Sequence, residues 1–211
     1  SEDGKSSGML GVQATFSRDS LTRQRSMHID ITPSHFTNDT VQWQLYSRGI
    51  DISSSRVNIN RLSIIHPGQR LMVDGVVSAS SDDALNITLD NFDISPLTAL
   101  VSRWGYEIEG RSNGSAVIKS VLKHPEIEAD IDIDSLRVNG LLAPPQCITS
   151  KWDFAGNRAR VYISDRITGD TTIRGYYQPA NMRYLATAKI DRLKAELLQP
   201  FLRGVVSDIE G

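Results

Sequence analysis

The sequence predicts an all-β protein whose strands form an elongated, stacked array interrupted by two short amphipathic helices. Three observations predict it. Apolar residues alternate with polar ones along most of the chain. Turn-forming Gly, Pro, Asn and Asp break that alternation at short intervals, and helical periodicity surfaces in two places only.

The strands follow in order. Leu10, Val12, Ala14 and Phe16 share one side of a first strand; Val41, Trp43 and Leu45 share one side of another, with Gln42 and Gln44 opposite. Val57 and Ile59 continue the alternation until it slips by one residue to Leu62 and Ile64, the mark of a bulge or bend. Leu71, Val73 and Val77 share a side around Gly75, and Leu85, Ile87 and Leu89 follow. The clearest alternation sets Ile127, Ala129, Ile131 and Ile133 between Glu126, Glu128, Asp130, Asp132 and Asp134, giving one wet and one apolar side. Trp152 with Phe154, Val161 with Ile163, and Ile173 with Tyr177 mark later strands. Turns are expected at Pro67-Gly68, Ser80 to Asp83, Asn113-Gly114, Gly156-Asn157 and Gly169-Asp170.

The first helix is expected from Ser95 as N-cap, with Pro96 at the first helical position, to about Trp104 and a stop at Gly105. The second is expected from Leu193 to Arg203, stopping at Gly204, with Pro200 distorting its last turn. A shift of about 101 residues lays the first phrase on the second: Phe92 on Leu193, Leu97 on Leu198, Leu100 on Phe201, and Ile108-Glu109-Gly110 on Ile209-Glu210-Gly211. A supersecondary unit repeated at a fixed period suggests a stacked array. Residues 1–94 then form one β unit and 95–211 a second that begins with the helix. The closing residues stop in mid-pattern, so the chain reads as a piece of something longer.

Composition excludes several classes. The 211 residues are 39% hydrophobic and 23% charged, as in globular proteins. A net charge of -2 and a pI near 6.1 supply no broad basic field, which argues against nucleic acid as a partner. Cys147 is the only cysteine, so no internal disulfide and no thiolate metal site forms; it reads as a small apolar filler. No apolar run reaches the roughly 18 residues of a membrane helix, and the polar run Ser1 to Ser7 is no signal peptide.

Catalytic patterns are missing too: there is no nucleophile elbow, phosphate loop or His-Glu-x-x-His helix. The four histidines, His28, His35, His66 and His124, are scattered. Asp130, Asp132 and Asp134 have the spacing of a calcium loop's first ligands, but Ser135 and Leu141 stand where that loop needs Gly and Glu, so a solvated strand face is the better reading. Asp90, Asp93, Glu107 and Glu109 carry no signal that pairs them for glycoside hydrolysis. Sequons begin at Asn38, Asn86 and Asn113 and arise easily by chance in such a chain. No cofactor and no enzymatic activity are expected.

The segment LKAELLQPFLRGVVSDIEG, from Leu193 to Gly211, resembles a phrase of the TamB family of envelope proteins. NFDISPLTALVSRWGYEIEG, from Asn91 to Gly110, resembles an earlier copy, and Gln69 to Gly75 fits the family's strand-Gly-strand style. The resemblance implies an internal fragment of an inner-membrane-anchored protein that crosses the periplasm, its sheet curled lengthwise into an open or half-closed trough, the β-taco. It implies a role in outer-membrane biogenesis: transfer of phospholipid or another acyl-chain ligand between the membranes, or assembly of outer-membrane proteins. A partner of the BamA class would dock through parts not present in this sequence. The family offers no catalytic residue to carry over, and 15 glycines is modest for it.

On this reading the lipid groove is lined by Val41, Trp43, Leu45, Val57, Ile59, Leu71, Val73, Leu85, Ile87, Leu89, Ile127, Ile131, Ile133, Val161, Ile163 and Ile173. The alternative is a closed β-sandwich that fills its interior with these side chains and serves as a binding or adhesion module. A membrane barrel is disfavoured by the missing aromatic girdles and the interrupting helices.

Overall fold

Alternation becomes strand almost wherever the sequence carries it. The computed structural model describes residues 6–188 apart from 19, 21–22, 39–40 and 103–104. Its strands form one antiparallel sheet that is open rather than closed into a barrel. Residues divide between two compact units, Ser1–Asp90 with Ser115–Ile127, and Asn91–Gly114 with Glu128–Gly211. That division falls inside strands, whereas the sequence reading set it at the start of the first helix.

In the first unit three long strands are each broken once. β1 (Ser6–Met9) leads into β2 (Val12–Arg18), β3 (Arg25–Ile31) into β4 (Ser34–Asn38), and β5 (Val41–Tyr46) into β6 (Ile50–Ser53). Each folds back on the next, so β2 pairs with β3 and β1 with β4, then β3 with β6 and β4 with β5. Both β5 and β6 pair with β7 (Arg56–His66), which pairs with β8 (Gln69–Ser78), and β8 with β9 (Ala84–Asp93). Chain neighbours are thus sheet neighbours, joined by short connections.

Partners facing each other across an antiparallel pair lie on the same side of the sheet. By that rule Ile31 and Ser34 share a side, as do Leu45 and Ile50, and Ile59 and Leu62. Each of these three intervals is an odd number of residues, so each of these breaks shifts the alternation by one, whereas Gly8 and Val12, four residues apart across the break between β1 and β2, keep it. The slip expected between Ile59 and Leu62 is one of these shifts, a bulge. Arg61 adopts φ 47° there, and its backbone N–H donates to Asp74 Oδ1 at 2.9 Å. Beside it Asn60 N–H donates to the Gly49 carbonyl at 3.0 Å, and Arg48 N–H to the Asn60 carbonyl at 2.8 Å.

A 3-10 turn at Ser95–Leu97 and the short helix α1 (Thr98–Val101) stand where the first helix is expected, and Gly105 has φ 82° at its end. The cap differs from expectation. Asp93 Oδ1 accepts both the Ser95 N–H at 2.9 Å and the Ser95 hydroxyl at 2.6 Å, so Asp93 holds the entry and Ser95 is already inside it. The second helix and the second copy of the repeat lie outside the described residues.

The second unit continues the pattern. β10 (Ile108–Lys119) and β11 (Glu126–Val138) give it part of their length. β11 pairs with β12 (Leu141–Leu142) and β13 (Gln146–Asp153). β14 (Arg158–Asp165), β15 (Thr171–Gln178) and β16 (Arg183–Ala188) follow in order.

Two expectations fail here. Asn113-Gly114 is no turn but lies inside β10, where Asn113 Oδ1 accepts the Asn91 N–H at 2.8 Å. Gly114 serves close approach instead: at φ 136°, a Cβ on it would collide with the Asp130 carbonyl oxygen. Phe154 is not a strand partner of Trp152 but sits in the turn after β13, 72% exposed. The hairpin between β11 and β12 turns at Asn139-Gly140, with φ 51° and 78°, a signal the sequence reading passed over.

Replacing Gly114 by Ala is expected to lower the unfolding free energy by about 2 kcal/mol or more, because the collision adds to the backbone strain. Gly68→Ala also carries a positive φ, of 75°, but meets open space, so about 1 kcal/mol is expected. Urea unfolding of both variants reads the difference.

Candidate functional site

The registers of the first unit put one apolar row after another on the same side of the sheet. Leu45 faces Ile64, Ile64 faces Leu71, and Leu71 faces Leu89. Val73 stands between Leu62 and Ile87, Val57 faces Val77, and Gly75 stands between Ile59 and Leu85. Trp43, opposite Phe36, stacks on that ring with centroids 6.3 Å apart and planes at 10°. The His66 ring lies 5.2 Å from Trp43 on the other flank. The side chain of Val41 lies outside the described residues, although its strand is placed.

The sequence reading missed part of this side. Met27, Ile29 and Ile31 on β3 and Ile50 and Ile52 on β6 join it through Met27–Ile52 and Ile29–Ile50. Their alternation with His28, Asp30 and Asp51 was readable. Single short strands of this kind carry a weak signal until their partners are known.

In the second unit an isoleucine row crosses four strands, Ile131 to Ile148 to Ile163 to Ile173. Val161 stands between Ser150 and Gly175, and Ile133 faces Gln146. Ile127, also on β11 but in the first unit, is half-buried. Ile148, between Cys147 and Thr149, gave no alternation to find.

Burial decides what this side is. Of the predicted groove residues whose side chains are described, Ile133 is buried at 8% exposure, while every other one is half-buried. Among the described residues the buried apolar ones are Ile94, Ile133 and Ala159, and the buried polar ones are mostly serines. Ser112, at 1% exposure, donates its hydroxyl to the Phe92 carbonyl at 3.0 Å. A side packed like a protein interior would hide large branched side chains fully. Here, among the described residues, the hidden ones are mostly small, and the large apolar ones other than Ile94 and Ile133 keep part of their surface open.

The other side of the strands carries the ionic groups, along with single apolar residues such as Ile65, Met72 and Val76. The Asp130, Asp132, Asp134 series is a strand face, with Asp134 2.9 Å and Asp132 3.7 Å from Arg166 Nη1. Cys147 is half-buried; its thiol donates to Asp130 at 3.7 Å, and burial, then the aspartates, push its pKa up. His28 lies between Asp51 at 2.6 Å and Asp30 at 3.2 Å, and the hydrogen bond to Asp51 is the largest cause raising its pKa. Asp51 is lowered in turn by His28. Asp153 accepts from Arg160 at 2.7 and 2.9 Å, from Arg158 at 3.1 Å and from the Gly156 N–H at 3.1 Å. These bonds, Arg160 first, hold its pKa down at about 2. Among the described residues no three His, Cys, Asp or Glu gather as metal ligands, and no helix is long and apolar enough to cross a membrane.

Compared with protein-family models, with curated proteins and with solved structures, the chain matches none.

Two pH dependences follow from these pairs. Asp153 has a folded pKa below its ordinary value of 3.8, so its contribution is complete above that value and fades as pH falls toward about 2. Asp153→Asn is expected to flatten the loss of urea stability across that window. The pair of His28 and Asp51 works between two limits. The raised His28 contributes fully below 6.5 and loses its effect as pH climbs through its folded pKa. The lowered Asp51 contributes above 3.8. Stability of the wild type relative to His28→Gln is expected to fall on the alkaline side, measured by thermal midpoint against pH.

Proposed function

We propose that this chain is a periplasmic fragment of a TamB-like envelope biogenesis protein, and that the apolar side of its sheet takes acyl chains during lipid transfer between the inner and outer membranes. The observation that carries the reading is the set of half-buried apolar rows, joined strand to strand by register in each unit. A half-buried branched side chain keeps part of its hydrophobic free energy in reserve for a guest. An acyl chain of about 16 carbons in water forgoes on the order of 10 kcal/mol, at roughly 0.8 kcal/mol per CH₂. Rows of Ile, Leu and Val recover much of that without catalytic groups. The resemblance of Asn91 to Gly110 to the TamB phrase supplies the envelope setting. Assembly of outer-membrane proteins is the other role that the resemblance allows.

Purified protein is expected to carry fatty acid or phospholipid detectable by native mass spectrometry, and after delipidation to take up a fluorescent fatty acid. Leu89→Asp in one unit and Ile131→Asp in the other each place a charge in an apolar row, and are expected to weaken uptake about ten-fold or more. The strand signal in circular dichroism should persist. Delipidated wild type that leaves the probe unchanged would sink the proposal.

A further inference from the structure

On the polar side of the second unit, β14, β15 and β16 enclose a cleft of about 210 Å³ lined by Arg158, Arg160, Tyr162, Arg174, Tyr176 and Thr187, among others. Cross-strand register builds it: Arg160 faces Tyr176, Tyr162 faces Arg174, and Arg174 faces Thr187. The positions alternate with Val161, Ile163 and Ile173, so the cleft lies on the opposite side of these strands from the apolar rows.

We propose that this cleft binds a phosphate group, as a phosphate ester or as the headgroup of an anionic phospholipid. Three arginines enter its wall and no carboxylate lines it. Asp153, outside the lining, is shared by Arg158 and Arg160, which leaves one positive charge over from that trio. Arg174 adds another, and it has no ion pair among the described residues. Asp153 also fixes two of the forks. It grips Arg160 through Nε and Nη2 and Arg158 through Nε, and the Arg158 guanidinium lies 4.8 Å from the centre of the Tyr176 ring. Asp153 takes the Nε side of both forks. Arg174, with its whole guanidinium, and the remaining Nη groups of Arg158 and Arg160 are then the donors for a tetrahedral oxyanion, with the Tyr162 and Thr187 hydroxyls as neutral donors beside them. The size selects the same class. Pockets for drug-sized ligands run to about 300–1,000 Å³, whereas this cleft fits a headgroup. The inference stands apart from the acyl-chain reading, since it uses one unit and the opposite side of its strands.

The test uses the full chain and two probes: glycerol 1-phosphate followed by calorimetry, and cosedimentation with phosphatidylcholine vesicles that do or do not contain phosphatidylglycerol. Wild type is expected to bind one probe or both, more weakly at high salt. Binding of glycerol 1-phosphate identifies a free phosphate ester as sufficient; binding of phosphatidylglycerol vesicles alone identifies the lipid headgroup. Arg174→Gln should weaken that binding about ten-fold. Arg174→Lys should keep part of it, and Arg25→Gln in the other unit should leave it unchanged. Arg174 is exposed, so an unaltered thermal midpoint is expected, and Thr187→Val gives a second variant if it shifts. The proposal is overturned if neither probe binds, if Arg174→Gln binds as wild type does, or if Arg25→Gln loses as much.

Discussion

One constraint governs each unit: the apolar rows that register joins from strand to strand must keep to one side of its strands, although Ile65, Met72 and Val76 stand on the other. Side chains alternate with a period of two, so a single added residue sends the rest of a strand to the wrong side. Three long strands of the first unit each contain such an addition, between Ile31 and Ser34, Leu45 and Ile50, and Ile59 and Leu62. The unpaired residues absorb it. Arg61 takes a positive φ and ties its N–H to Asp74, and apolar residues return to their own side beyond the break. Breaks at neighbouring positions on adjacent strands are compatible with continuous pairing, because both halves of each strand still find partners. β7 shows this directly, serving β6 with one half and β5 with the other.

Holding the apolar residues together does not by itself hide them. A barrel or a sandwich would press one apolar face on another, while an open sheet leaves a face that only loops or a guest can cover. The exposure pattern follows from that architecture. Ile87, Leu89, Ile131 and Ile163, each flanked by neighbours along and across the sheet, are half-buried. Burial goes above all to serines such as Ser34, Ser78 and Ser112, whose hydroxyls donate to the Thr32 carbonyl, the Asp83 carboxylate and the Phe92 carbonyl. The acyl-chain proposal rests on this distribution, and the phosphate proposal on the ionic side behind it in the second unit.

Much of the fold was legible in the residues. The all-β class followed from alternation, and the bulge after Ile59 from a phase slip. The turns at Pro67-Gly68, Gly156-Asn157 and Gly169-Asp170 followed from their chemistry. The failures share a cause. Asn113-Gly114 has the chemistry of a turn, but its glycine was required by the nearness of Asp130 on another strand. Ser95 has the chemistry of a cap, but Ile94 takes the N-cap position and the Ser95 hydroxyl donates to Asp93, at the end of β9, instead.

By itself the sequence determined which residues can be strands and which of their sides is apolar, because both depend on neighbours one and two positions away. Only the tertiary structure decided how those sides line up across strands, and that the sheet stays open so that its large apolar residues are half rather than fully covered. It alone brought Arg158, Arg160 and Arg174 around one cleft. Register and cover are relations between segments far apart in the chain, and no local spacing encodes them.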